Sequence, residues 1–206
     1  MMPMPEMLTT RLRIRPYTED DFSARVAFDK EINGQDTKLE DTRHWLKWTI
    51  ASYREQSRLD QPPYGDYAVT LSDGGPPIGA VGLVPALIPW GVLTRIVSAD
   101  EDALVSPEFG LYWAVLPKYR GQGYAAEAAK SLIDRVFAGL SARRVVATTD
   151  YDNHASRRVM EKLNMTIMRN DNHHPDWCQL VGVLNHPGLP PFSEAGPETL
   201  VDAPEY

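Results

Sequence analysis

Tyr119-Arg120-Gly121-Gln122-Gly123-Tyr124-Ala125-Ala126-Glu127-Ala128 sets two glycines, two positions apart, at the mouth of a helix. From Ala129 onward apolar residues recur at Leu132, Ile133, Val136, Phe137 and Leu140, the spacing of a single helical face. Neither glycine has a Cβ. A ligand can therefore come close to main-chain N–H groups where the helix still has unpaired donors and a partial positive charge. The stretch reads as an anion site, most simply a phosphate site; on the glycines alone, a flexible loop ahead of a core helix is the alternative. Gly121-x-Gly123-x-x-Ala126 also satisfies the dinucleotide fingerprint. That fingerprint follows its strand at once, opens a domain and carries an acidic residue about 20 positions on. Here Pro117-Lys118-Tyr119-Arg120 intervenes, Arg143 and Arg144 stand near the acidic position, and more than half the chain has already passed. These departures argue against a nicotinamide or flavin site.

The chain has 206 residues, a formal net charge of −7 and one cysteine, Cys178. That length and composition fit one domain, expected over residues 8–184, with a Pro- and Glu-rich tail over 185–206. No apolar run is long enough to span a membrane, and Met1 to Met7 lacks the basic-then-apolar pattern of a secretory signal, so a cytoplasmic protein is expected. Cys178 has no partner for an internal disulfide and, lying in an apolar stretch, reads as core rather than nucleophile. His173 and His174 with Asp176 and Cys178 lack a distal ligand cluster, so no metal is expected. The acidic balance argues against nucleic-acid or membrane-surface partners. Its distribution says more: Pro117 to Lys162 holds nine basic and five acidic residues, a local +4 that leaves −11 for the rest. A basic patch around the glycine turn suits a phosphorylated small molecule, and the acidic remainder suits a cationic second substrate.

Periodicity supplies the other elements. Thr10 to Arg15 reads as a strand, and Thr18 with Asp21 as a capping box opening a helix through Phe22 and Val26. A helix over Thr42 to Tyr53 would carry Trp45, Trp48 and Tyr53 as an aromatic packing face. Tyr67 to Leu71 and Ile78 to Val84 form a hairpin across Ser72-Asp73-Gly74-Gly75-Pro76-Pro77, and Pro85 to Pro107 is expected to be irregular. Phe109 to Leu116, the glycine turn, the helix to Leu140 and Val145 to Thr149 make a strand, helix, strand unit with a parallel pair. A helix from His154 to Leu163 should end at a left-handed Asn164, and Cys178 to Leu184 should be the last strand.

Three pieces then agree in order and spacing: Glu108-Phe109-Gly110-Leu111-Tyr112-Trp113, the glycine turn with Glu127 beyond it, and Asn153-His154-Ala155-Ser156 followed by Val159, Glu161, Lys162 and Leu163. Together they resemble the GNAT superfamily of acyl-CoA-dependent N-acetyltransferases, and within it the branch of ribosomal-protein alanine acetyltransferases. The similarity spans Glu108 to Met168. It implies an α/β fold, a mixed sheet of about six or seven strands with a splayed parallel pair and about four flanking helices. It also implies transfer of an acetyl group from acetyl-CoA to a primary amine, with no metal.

The acceptor implied is a protein N-terminal α-amine or a small amine such as an aminoglycoside or polyamine; a non-catalytic acyl-CoA-binding regulator is the alternative from another class, and homodimers are frequent among relatives. Carried onto this chain, the resemblance gives Trp113, Ala114 and Val115 to the pantetheine arm, with the Val115 amide also polarising the thioester carbonyl. Arg120, Gly121, Gln122, Gly123, Tyr124 and Ala125 would hold the diphosphate, and Asn153 would bond the arm. Glu108 is the candidate base, with a plain strand-end carboxylate as the alternative and Glu31, Glu101 and Asp102 as substitutes. Ser156 would assist thiolate departure, or else only cap its helix. The chain departs from the family pattern at Lys118, where Gln or Arg is usual, at Met160, where many relatives carry an acidic tyrosine, and at Asn164, usually glycine.

Overall fold

Leu12 and Ile14, both fully buried, alternate with exposed Arg13 and so make one face of a strand. This is β2 (Leu12–Pro16), and a two-residue β1 (Met7–Leu8) pairs on its outer side. The computed structural model describes residues 6–33, 38–93 and 105–191, apart from the side chain of Asn33. The other elements, in chain order, are α1 (Phe22–Asn33), α2 (Leu39–Arg58), β3 (Gly65–Leu71), β4 (Gly74–Ile88), α3 (Trp90–Leu93), β5 (Ser106–Val115), α4 (Tyr124–Leu140), β6 (Arg144–Thr149), α5 (His154–Lys162), β7 (Thr166–Arg169) and β8 (Leu180–Asn185). All eight strands form one mixed sheet in the order β1-β2-β3-β4-β5-β6-β8-β7. The sheet has slightly more strands than the sequence suggested, because β1 and β7 are too short to show a period. No helix among the described residues is long and apolar enough to cross a membrane.

The two faces bury different helices. Leu132, Ile133 and Val136 of α4 are at most 1% exposed and pack with Leu12, Val69, Val81, Leu83, Leu111, Val145 and, from α5, Met160. Burying each side chain of that size stabilises the fold by about 1.5–3 kcal/mol. On the opposite face Phe28 of α1 packs on Ala80 and Leu116, while Leu46 of α2 packs with Tyr17 and Ala68.

Several boundaries differ from the sequence reading. The expected six-residue hairpin loop is a turn of Ser72 and Asp73, since Leu71 pairs with Gly74. Gly74 to Pro77 belong to β4, where the prolines are tolerated because pairing with β5 begins only at Gly79. Pro85 to Ile88, expected to be irregular, continue β4, and Trp90 to Leu93 form α3. Pairing of β4 with β3 ends at Leu83 and that with β5 runs on to Ile88, so Pro85 has no β3 acceptor to miss. The last strand begins at Leu180 rather than Cys178, and α2 runs from Leu39 to Arg58 rather than from Thr42 to Tyr53. Asp21 does bond the Thr18 amide at 2.8 Å, but the box caps a single 3-10 turn, Glu19–Asp21, that leads into α1. Asn164 is left-handed, φ 57°. The rest of the expected irregular stretch, residues 94–104, and most of the expected tail, residues 192–206, lie outside the described residues.

The feature that positions a site lies at the centre of the sheet. β5 and β6 run parallel but pair only at Phe109 with Val145 and at Gly110 with Val146. Beyond that, β5 stays with β4 as far as Val115 opposite Gly79, and β6 stays with β8 as far as Thr149 opposite Leu180. The two strands diverge, and a gap opens toward α4 and α5.

Candidate active site

Main-chain polarity inside the gap follows from the register. The β4–β5 ladder is unbroken, and the Leu116 amide donates to Ile78 at 2.9 Å just past its end. Antiparallel pairs alternate between bonded and non-bonded. Ala114 and Tyr112 therefore bond β4, whereas Trp113 and Val115 turn their main-chain groups toward the gap. Ala114, grouped with them from the sequence, directs its own amide and carbonyl away. From Leu111 to Val115 the open edge is roughly 13 Å long at the usual rise of an extended strand. Val115 ends it with its carbonyl accepting a hydrogen bond from Arg120 Nε at 3.0 Å.

The glycine turn continues from that edge. Gly121 (φ 76°) and Gly123 (φ 85°) are left-handed, a conformation that costs any residue with a Cβ. The Arg120 amide donates to Pro117 and the Glu127 amide to Gly123. Between them, among the described residues, no amide has a backbone acceptor, and no side chain caps Gly123. The amides of Gly121 to Ala126 thus form a row of open donors at the positive end of α4, with Lys118 and Arg120 exposed beside it. The turn is held from behind. Glu127 accepts from Thr9 Oγ1 at 2.6 Å, from the Arg11 amide at 3.1 Å and from Arg11 Nε at 2.7 Å. Burial alone would raise the Glu127 carboxyl, but the Thr9 and Arg11 bonds outweigh it and hold the group below the usual carboxylate range. No spacing rule links partners separated by 116 residues, so this contact is not legible before folding.

The second strand leads to Asn153 and Ser156. Asn153 Oδ1 accepts from the Ser156 amide at 3.0 Å and caps α5. The capping considered for Ser156 is therefore performed by Asn153, and the half-buried Ser156 hydroxyl has no hydrogen-bond partner among the described residues.

Glu108 stands on the other face. Tyr112 and Ala114 pack beside Phe28 and Ile32 of α1, and alternation along β5 puts Glu108 and Gly110 on that same side. One carboxylate oxygen of Glu108 accepts from Ser106 Oγ at 3.1 Å and from the indole Nε1 of Trp90 at 3.2 Å. The other lies 3.7 Å from Arg144 Nε, an ion pair too long for a hydrogen bond. Both side chains are 13% exposed. Glu108 is thus oriented by its neighbours rather than freely solvated. Asp66, Gly82 and Tyr112 form an in-register row across β3, β4 and β5 on this face. Gly82 leaves the row open, since a Cβ there would sit 2.7 Å from Asp66 Oδ1. Burial first, then the nearby Asp66, push the Tyr112 phenol up to about 12, so it remains a hydrogen-bond donor at neutral pH.

Of the other groups singled out in the sequence, Glu31 is exposed on α1, while Glu101 and Asp102 lie outside the described residues. Trp45 packs edge-on against Tyr17, Tyr53 stacks on Tyr67, and Trp48 is 58% exposed. Cys178 is fully buried and burial pushes its thiol up to about 11, the state of a core residue and not of a nucleophile.

Residues 11–166 match the acetyltransferase (GNAT) domain family. The chain is 32% identical over 80 residues to the uncharacterized N-acetyltransferase YnaD of Bacillus subtilis, a match covering 34% of this chain and 47% of that relative's length. Among solved structures, an acetyltransferase from Agrobacterium tumefaciens superposes with a TM-score of 0.63 at 25% identity, covering 88% of this chain and 95% of the other. RimL, the ribosomal L7/L12 α-N-protein acetyltransferase solved in complex with coenzyme A, shares the fold with a TM-score of 0.59 at 15% identity, covering 87% and 96%.

Proposed function

The chain belongs to the GNAT acetyltransferases, and from that premise we propose that it moves an acetyl group from acetyl-CoA to a primary amine, with a protein N-terminal α-amine as the acceptor. One observation carries the reading: the separation of β5 from β6 after Gly110, which runs an open strand edge directly into a row of unpaired amides. An extended arm lying along Trp113 and Val115 would have its diphosphate on the amides of Gly121 to Ala125, with Arg120 beside it and the Asn153 amide nitrogen across the gap. Val115 is at the diphosphate end and its carbonyl is already held by Arg120. We therefore assign the thioester carbonyl to the Trp113 amide, two residues deeper, rather than to Val115.

The chemistry follows from which face each group occupies. An α-amine titrates near 8 and a lysine near about 10.4, so either enters mostly protonated and must lose a proton before it attacks. Glu108, opposite α4 and α5, takes that proton through the oxygen that Arg144 does not hydrogen-bond, while Ser106 and Trp90 fix the other. The neutral nitrogen adds to the carbonyl carbon, the adduct nitrogen gives up its second proton to water as the C–S bond breaks, and the thiolate, with a pKa of about 8.5, accepts a proton from water relayed through the Ser156 hydroxyl on the α5 side. The branch motifs support a peptide acceptor, as does the fold shared with an enzyme that acts on ribosomal L7/L12. Incubation with acetyl-CoA and, separately, a peptide mixture and a mixture of aminoglycosides and polyamines tests this. Acetylated peptide N-termini are the expected product. Acetylation confined to the small amines would replace the acceptor, and CoA binding without any thiol release would make the protein a non-catalytic binder.

A further inference from the structure

Resting on the acetyl-CoA reading above, we infer that Arg11 is a positioning residue for the diphosphate turn. It fixes the Gln122–Gly123 peptide so that the Gly123 amide faces the ligand. Arg11 lies just before β2, 111 residues before Gln122 of the turn, yet five contacts tie the two together. Its amide and Nε donate to Glu127 at 3.1 and 2.7 Å, and its second terminal nitrogen pairs with the same carboxylate at 2.6 Å. The first terminal nitrogen donates to the Gln122 carbonyl at 3.0 Å, and the guanidinium carbon sits 4.6 Å from the centre of the Tyr124 ring. Its backbone is anchored too, because the Arg11 carbonyl accepts from the Ser72 amide at 2.9 Å.

The contact with Gln122 decides the function of the group. A trans peptide is planar, so its C=O and N–H point in opposite directions. Holding the Gln122 carbonyl on the β2 side therefore turns the Gly123 N–H to the other side, toward the open donor row. With two left-handed glycines flanking Gln122, this peptide has an accessible flipped alternative that would present a carbonyl to the diphosphate instead. Glu127 offsets the Arg11 charge, so the pair supplies geometry and little net field. Lysine cannot replace it: an ammonium has the charge but not a planar fork able to reach a carboxylate and a carbonyl at once.

The test compares wild type, Arg11→Lys and Glu127→Gln. Coenzyme A affinity is measured by calorimetry, and kcat/KM is measured with acetyl-CoA and with acetyl-pantetheine, which has no diphosphate. Arg11→Lys should raise the CoA Kd about tenfold, the scale of one misaligned hydrogen bond to a charged group. Its penalty in kcat/KM should be present with acetyl-CoA and absent with acetyl-pantetheine. The inference fails if Arg11→Lys binds CoA within about twofold of wild type, as a plain nearby charge would allow, or if both thioesters suffer equally. Arg11 is 44% exposed, so the variant should fold. Should it not melt cooperatively, Glu127→Gln carries the same comparison from the other side of the bridge. If wild type gives no heat with CoA, the acetyl-CoA reading itself falls; if wild type binds and Arg11→Lys binds equally well, only the positioning role does.

Discussion

Asn153 and Ser156, three residues apart at the start of α5, separate structure from chemistry in a way that substitution can resolve. Asn153 caps the helix, so Asn153→Ala should cost about 1 kcal/mol of stability in a denaturant titration. Ser156 contributes only its amide to that cap, so Ser156→Ala should melt as wild type does. Its turnover should nevertheless drop roughly tenfold, less than proton transfer usually contributes because the departing thiolate is a weak base. Unchanged turnover at unchanged melting temperature would remove the hydroxyl from the reaction. Glu108→Gln should keep the Ser106 and Trp90 contacts while losing roughly a hundredfold in kcat/KM and the acidic limb of its pH profile. An acidic limb identical to wild type would assign the proton to another group. Both side chains were legible as candidates because they sit within motifs whose spacing is local. Arg11 was not, since its partners are brought to it only by the folding of β2 against α4.

At the scale of elements, what could be read depended on whether an element's reasons for forming are its own. The helix through Leu140 was legible because its apolar face repeats within the segment. In β4, the prolines that ordinarily mark loops, Pro76, Pro77 and Pro85, fall where no neighbouring strand needs an amide, which only the register reveals. The gap itself was legible as a parallel pair but not in its depth, which depends on β6 leaving β5 for β8. Gly79 tests how tightly that geometry is set. A Cβ there would lie 2.6 Å from the Ala114 carbonyl oxygen and 3.3 Å from a Val115 methyl group, and the first of these is main chain that cannot rotate aside. Gly79→Ala should therefore push β5 toward the gap, lowering stability by about 1–3 kcal/mol and weakening CoA binding as well. The same substitution at Gly182 meets mainly the flexible ends of Met160 and Met165, and should cost less. Equal losses at the two sites would show that β5 is not braced by β4 as described.

Over the whole molecule the charge pattern, basic around the turn and acidic elsewhere, was readable from the sequence, but the sum conceals carboxylates under opposite constraints. Asp21 is buried, which would raise it, yet its bonds from Arg15 at 2.7 Å and from the Thr18 amide at 2.8 Å outweigh burial and hold it below the usual range. Asp66 is raised: burial and the neighbouring Asp29 exceed the pull of Arg25, which stays 3.8 Å away. Linkage gives the two groups opposite signs. The Asp21 contribution is present above the unfolded carboxylate value and is lost as pH falls through its depressed folded value. The Asp66 contribution is present below the unfolded value and is lost as pH rises through its elevated folded one. At neutral pH Asp21→Asn should therefore lower the melting temperature and Asp66→Asn should raise it, and both differences should shrink toward zero as the solution is acidified. A melting series from neutral to acidic pH reads both at once. If Asp66→Asn lowers the melting temperature at neutral pH, the Arg25 attraction outweighs burial, and Asp66 is ionised in the folded protein at no cost to its stability.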